Sequence, residues 1–281
     1  MKPALRPVVN WNIVGGCNYR CSYCVQKHAE GVGGPSEKAL DAGLDLLCAL
    51  PGSWEFKISG GEPFLLKRLP EVAQRLATAG HKVSVLTNLS APLPILERFI
   101  AAAGEQLRTF SCSLHLEETT REAFLAKAEA VKARLEALPR ASFVTNFVVQ
   151  PGKVREAAKL RREFNTSGIK FYPQLMRVNG APVKYGLLDR LRLEHAFDDL
   201  DGPGDINRGY SHLGKTCHAG HRYFILHPKG DAFTCYPGKR EGDGHLGNIY
   251  DGSFRLNDGP MTCHYAVCPC TVPQNRGIVV G

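Results

Sequence analysis

Val8-Val9-Asn10-Trp11-Asn12-Ile13-Val14 is a β-branched and aromatic run that stops at Gly15-Gly16, and helical periodicity resumes only near Ser36. There a capping hydroxyl is followed by Leu40, Leu44, Leu47 and Leu50, the apolar stripe of an amphipathic helix. Strand, long loop and helix form the first unit, and the unit recurs. Trp54–Ser59 leads to Leu69–Thr78, Lys82–Thr87 to Leu93–Ala103, Leu107–Leu114 to Thr120–Leu138, and Ser142–Val149 to Val154–Phe164, with Ile169–Met176 as a last strand. Gly80 and Gly104 stand where helices should stop. Strands alternating with helices over short connections predict an α/β fold with parallel strands and right-handed crossovers. Six such units suit a partial (βα)6 TIM-like barrel; a doubly wound sheet is the alternative that patterning alone leaves open. In both folds the ligand site lies at the carboxyl ends of the strands.

After Arg177 the pattern turns to Gly, Pro, His and Cys, apart from helical periodicity over Leu187–Leu200. The predicted division is therefore a barrel over 1–178, a linker and helix over 179–209, and a small Cys-rich β-hairpin domain over 210–281. Its strands are Tyr223–His227 and Ala232–Tyr236, joined by the turn sequence Pro228-Lys229-Gly230-Asp231.

Composition narrows the class. The chain has 281 residues, a formal charge of +8, and no apolar run long enough to span a bilayer or to serve as a secretory signal. A cytoplasmic protein with no membrane partner is expected. The surplus charge admits a nucleic-acid partner, but the basic residues are spread along predicted helices, as on a plain solvated surface. Without an export signal, the ten cysteines point to metal ligation rather than to disulfides.

Cys17, Cys21 and Cys24 form CxxxCxxC in the loop after the first strand. Three thiolates can hold three irons of a 4Fe-4S cluster and leave the fourth open to a small molecule. The bland alternative is a zinc site completed by His28. Tyr23 lies between the last two cysteines, and Gly60-Gly61-Glu62-Pro63 follows the second strand. Together these motifs resemble the radical S-adenosylmethionine (SAM) enzymes. The resemblance implies that Cys17, Cys21 and Cys24 ligate the catalytic cluster. It implies too that the GGEP segment binds the methionine amino group of SAM, Gly60 and Gly61 allowing close approach and Glu62 supplying a counter-charge. By strand position, Thr87-Asn88, Ser111, Ser113, His115, Asn146, Gln174 and Arg177 become candidate contacts at the barrel top. Period-two alternation sets Ser111, Ser113 and His115 on one face of their strand and Phe110, Cys112 and Leu114 on the other. Cys48, among leucines, and Cys112 read as packed small hydrophobes.

The remaining cysteines are Cys217, Cys235, Cys263, Cys268 and Cys270. A cysteine, a hairpin with Gly230, a second cysteine and the segment Leu246-Gly247-Asn248-Ile249 resemble the auxiliary-cluster extensions called SPASM and Twitch. Five cysteines are too few for two auxiliary clusters, so one 4Fe-4S cluster of the Twitch kind is implied. Cys217 and Cys235 would bind it with two of Cys263, Cys268 and Cys270, and the CxC spacing leaves that choice open. The cysteine left over would be structural or, as in some epimerases of the family, a hydrogen-atom donor. The local wealth of His, namely His212, His218, His221, His227, His245 and His264, makes zinc the rival metal.

The implied reaction is reductive cleavage of SAM to a 5′-deoxyadenosyl radical that abstracts a hydrogen atom from a peptide or small natural product. Oxidation, crosslinking or epimerisation would follow. Flavodoxin or ferredoxin would serve as electron donor. The barrel begins within about ten residues of Met1, so a peptide would need a separate delivery protein. Amino sugars and nucleotides or nucleic acid are the other substrate classes, and a non-enzymatic zinc or iron–sulfur scaffold is the reading from a different class.

Overall fold

The computed structural model describes residues 4–26, 33–197, 209, 211–268 and 270–281. Its first half alternates as the periodicities require: β1 (Val8–Val14), α1 (Glu37–Cys48), β2 (Glu55–Gly60), a short 3-10 turn (Pro63–Leu65), α2 (Leu69–Thr78) and β3 (Lys82–Thr87). It continues with α3 (Leu93–Ala103), β4 (Leu107–Leu114), α4 (Arg121–Leu135), β5 (Ser142–Val149), α5 (Val154–Thr166) and β6 (Lys170–Leu175). Ser36 and Thr120 cap α1 and α4 through their hydroxyls, which accept from the amides of Ala39 and Ala123. Strands β1 to β6 lie side by side in chain order, each parallel to the next. The fold is α/β with a largely parallel central sheet. One face of that sheet, with Phe56, Ile58, Val83, Val85, Phe110 and Cys112 pointing outward, packs on the helices to make the main core. Cys112 is fully buried there and Cys48 packs against its edge.

The second half departs from a self-contained hairpin domain. After β7 (Arg177–Val178), β8 (Ala181–Pro182), α6 (Leu187–Ala196) and β9 (Thr216–Cys217) comes the expected hairpin, β10 (Tyr223–Leu226) and β11 (Asp231–Phe233). Its second strand stops short of Tyr236, because Cys235 caps α7 (Tyr236–Glu241), which has Pro237 in its first turn. Its first strand runs parallel to β1 and extends the central sheet. With β12 (His245–Asn248), the order becomes β12-β11-β10-β1-β2-β3-β4-β5-β6. The rest of the predicted helix, 198–200, and linker residues 201–208 lie outside the described residues. The expected turn does depend on Gly230: at φ +89°, a Cβ would meet Asn248 and Tyr250 at 2.4 Å. Asn248 itself donates to the Lys229 carbonyl and to Asp231, so the Leu246–Ile249 segment buttresses the turn.

The last segment holds β13 (Met261–Thr262), α8 (Val272–Asn275) and β14 (Val279–Val280). β13 and β14 flank β9 in a small antiparallel sheet. A second, smaller apolar cluster forms here, in which Val8, Tyr223, Ile225, Tyr265 and Ile278 surround Cys217, Cys235 and Cys263.

His227, just past the end of β10, has a buried Nε2 without a hydrogen-bond partner, and burial, reinforced by Lys239, lowers its pKa from 6.5 to about 4. A histidine with a depressed folded pKa stabilises fully above its unfolded value and loses that contribution as pH falls through the folded one. Unfolding free energies from urea titrations between pH 7 and pH 4 should therefore fall, by up to about 2 kcal/mol after allowing for partial solvent contact. His227→Phe should flatten that part of the profile, and an unchanged acid slope would remove His227 from the account.

Candidate active site

The loop after β1 carries Cys17, Cys21 and Cys24, and neighbouring loops hold it from two sides. On one side it meets the turn after β2. Gly61 N donates to the Val14 carbonyl at 2.8 Å and Glu62 N to the Gly16 carbonyl at 2.9 Å. A Cβ on Gly61 would lie 1.9 Å from the Gly16 oxygen, and one on Gly60, at φ +136°, would lie 2.3 Å from the Val14 oxygen. The close approach that the two glycines permit is thus first of all between two loops of the protein.

Glu62 is 1% exposed. Its Oε1 accepts from Phe64 N at 3.0 Å and Thr87 Oγ1 at 2.8 Å, and its Oε2 from Asn88 N at 2.7 Å. Burial pushes this carboxyl up, against three hydrogen bonds that favour the charged form. Pro63 starts the 3-10 turn that presents the Phe64 amide. Asn88 extends the network: its Nδ2 donates to Asn18 Oδ1 at 3.0 Å and lies 3.8 Å from Cys17 Sγ. Glu62 and Asn88 therefore tie the ends of β2 and β3 to the cysteine loop.

On the other side stands the loop after β4. Glu117 accepts from the Ser22 amide and hydroxyl, each at 2.6 Å, and Glu118 from the Arg20 amide at 2.5 Å. Tyr23 stacks on His115 with ring centroids 5.8 Å apart, and its hydroxyl lies 2.9 Å from His115 Nδ1. Tyr19 meets the same ring edge-on. Burial holds the imidazole below its ordinary range. Glu117 and Glu118 were not among the residues singled out from sequence. Two consecutive acids after a strand carry no local sign that they will accept from amides some 95 residues earlier. Glu117→Ala is expected to keep the fold and to weaken iron retention by the cysteine loop about tenfold, as loss of a supporting partner does. Iron content after a timed chelator challenge checks this.

Three thiols on one short loop suit an iron–sulfur group by donor chemistry. Burial first, and then the neighbouring thiols and carboxylates, push Cys17 up and Cys21 up to about 12. An iron–sulfur group held by Cys17, Cys21 and Cys24 would relieve that mutual repulsion, the thiols binding as thiolates. Among the described residues no three His, Cys, Asp or Glu side chains converge on one metal-ion position. A cluster does not require this, since each cysteine takes a different iron. His28 lies outside the described residues.

Further along the sheet, Ser111 and Ser113 face away from the helical core, and Asn146 Nδ2 donates to Ser111 Oγ at 2.6 Å. Gln174 lies on β6 in register with Val148 of β5, which is half-buried like it. Arg177 is buried and donates to the Gly180 carbonyl at 2.7 Å.

The C-terminal cysteines divide. Cys217, Cys235, Cys263 and Cys268 are all buried and line one small apolar cavity with His212, Ala219 and Tyr265. Cys235 Sγ accepts from Gly238 N at 3.4 Å. Burial pushes Cys217 up to about 11 and Cys268 up to about 12. Cys270 turns elsewhere: its sulfur accepts from Asn10 Nδ2 and the Tyr223 hydroxyl, both at 3.6 Å, beneath β1.

A model of the radical SAM superfamily matches residues 11–160, just over half of the chain. The chain belongs to the radical SAM superfamily. Membership makes it an enzyme of that class, with the 4Fe-4S cluster and SAM that the class employs. Among relatives, the probable GTP 3',8-cyclase of Methanothermobacter thermautotrophicus is 30% identical over 106 residues, 36% of this chain and 32% of that protein. The match thus spans about a third of that relative's length. Among solved structures, SuiB of Streptococcus suis bound to S-adenosylmethionine aligns with TM-score 0.63 at 16% identity, covering 88% of this chain and 64% of that one. Native anSMEcpe with bound AdoMet aligns with TM-score 0.57 at 17% identity, covering 88% and 79%. At such identities the likeness is one of fold. No helix among the described residues of this radical SAM protein is long and apolar enough to cross a membrane.

Proposed function

We propose that the protein cleaves SAM reductively and removes a hydrogen atom from a peptide or small natural-product substrate, leading to oxidation, crosslinking or epimerisation. The observation that carries this is the lacing of the CxxxCxxC loop to the GGEP turn through Glu62 and Asn88. The sequentially wound sheet is read as a partial barrel, with the cysteine loop at its carboxyl-terminal rim. Cys17, Cys21 and Cys24 would hold the first 4Fe-4S cluster, which when bound and reduced supplies the electron that splits SAM. Gly60, Gly61, Glu62 and Pro63 form the wall against which the methionine end of SAM would rest. Tyr23, fixed by His115, covers the loop from the side of β4. Ser111, Ser113, Asn146, Gln174 and Arg177 are the proposed polar contacts further round the sheet.

Cys217, Cys235, Cys263 and Cys268 would hold one auxiliary 4Fe-4S cluster of the Twitch kind, their shared cavity being the support for that set. Flavodoxin or ferredoxin is the proposed reductant, and the cytoplasm, which keeps thiols reduced, the proposed compartment. A nucleotide is the second reading of the substrate, favoured by the partial match to a protein named as a GTP 3',8-cyclase.

The test is anaerobic iron, sulfide and zinc analysis of reconstituted protein, followed by reduction with SAM and assay of 5′-deoxyadenosine. About eight irons per chain, as two four-iron clusters require, together with that product support the reading. Zinc without SAM cleavage overturns it.

A further inference from the structure

The face of the sheet turned away from the helices is open in part: Asn10, Glu55 and Ser84 on it are buried, but other positions are not. Alternation puts Asn12, Lys57, Ser59, Leu86 and Ser111 on that face, and all are at least partly accessible. Leu86 decides the matter. It lies on β3, hydrogen-bonded into the sheet by β2 on one side and β4 on the other, yet it is 39% exposed. A parallel strand inside a sheet ordinarily has both faces covered, so the inner face carries a floor that water reaches.

Lys57 puts a charge on this floor. It pairs in register with Asn10 of β1 and Ser84 of β3, in the middle of β2. Lys57 and Glu55 are the two charged residues of that strand. Its carboxylate neighbour, Glu55, lies 3.6 Å away but is engaged more closely by others. Arg276 approaches Glu55 to 2.9 Å and Ser84 Oγ donates to it at 2.8 Å. Two cations thus share one carboxylate, with the Cys270 thiol as the other group nearby that favours the charged ammonium; a surplus positive charge remains in an enclosed place, and burial pulls the ammonium down. An enclosed surplus charge is costly unless an anion joins it. The Lys57 side chain nonetheless keeps 27% of its surface open, so an anion can reach it.

We infer that Lys57 is the recognition cation of a substrate seat on the inner face of the sheet, which takes an anionic oxygen group, carboxylate or phosphate. The inference rests on the proposed function only in calling the occupant the substrate; the anion seat itself does not depend on it. Lys57 lies three residues before Gly60, about 10 Å down the strand from the GGEP turn. A molecule held by its anionic end at Lys57 would extend its remaining atoms toward the cysteine loop. Asn12 and Ser59, already bonded to each other at 3.0 Å, offer polar contacts along the way.

The test titrates inorganic phosphate and, separately, succinate into the reconstituted, SAM-saturated holoenzyme, with binding followed by calorimetry. One of the two probes should bind with unit stoichiometry, and which one does so separates a phosphate-bearing from a carboxylate-bearing substrate. Lys57→Met should weaken that binding at least tenfold, Lys57→Arg should keep it within about threefold, and Lys38→Met, on the exposed face of α1, should leave it unchanged. Failure of both probes to bind the wild type, or equal affinity in Lys57→Met, overturns the seat. Wild-type protein that binds the probe through Lys57 but forms no 5′-deoxyadenosine would overturn the proposed function and leave the anion site standing.

Discussion

Replacing Glu62 with alanine is expected to lower 5′-deoxyadenosine formation at least about 100-fold and to destabilise the fold by about 4 kcal/mol. The stability term follows from three donors, Phe64 N, Asn88 N and Thr87 Oγ1, that lose their acceptor in a place water does not reach. Each buried unsatisfied donor costs about 1–3 kcal/mol. The activity term follows from geometry, since Asn88 reaches Asn18 and Cys17 only while Glu62 fixes its backbone. Supporting groups of this kind typically matter about 10–100-fold, and a direct contact with SAM would add to that. Glu62→Gln separates the two terms, because it keeps the shape while turning an amide NH2 toward a donor. Turnover should then fall with a smaller loss of stability. Anaerobic product analysis beside urea denaturation reads both, and unimpaired product formation in the alanine variant would remove Glu62 from the site.

The second large effect separates the C-terminal cysteines. Cys217→Ala and Cys268→Ser should each lower iron from about eight to about four per chain and leave the spectrum of the first cluster intact. Cys270→Ser should keep about eight irons, because its sulfur faces Asn10 and Tyr223 rather than the shared cavity. Iron analysis with electron paramagnetic resonance of the reduced proteins distinguishes the cases. Loss of iron in Cys270→Ser alone would exchange Cys268 for Cys270 in the ligand set. Loss of both clusters in Cys217→Ala would mean that the two sites are not separate or that the fold has collapsed.

The βα units were legible because each is local. Val8–Val14, Lys82–Thr87, Leu107–Leu114 and Ser142–Val149 are strands whose own residues alternate or run apolar, and the helices between them carry their own apolar stripes, with hydroxyl caps on α1 and α4. The CxxxCxxC loop and the GGEP turn were legible for the same reason, as dense local patterns. What joins them was not. Glu117 meeting Ser22, and Arg276 meeting Glu55, are pairings across 95 and 221 residues that no local pattern encodes. The same holds for the hairpin: its first strand and turn could be read from Tyr223–Asp231, but not that Tyr223 would pair beside Val8. The CxC spacing could not choose between Cys268 and Cys270, because the choice depends on which way each side chain turns relative to β1.

That pairing of β10 with β1 bears on how the polypeptide comes together during synthesis. Strand β1 waits for its outer neighbour until the chain has been made as far as Tyr223–Leu226. Until then it offers an unpaired row of amides and carbonyls beside the cysteine loop, a template for wrong strand partners. Long sequence separation between paired strands also slows folding. Completion of the sheet therefore falls late in biogenesis, and a polypeptide truncated after Val178 would carry its cysteine loop next to an open, association-prone strand.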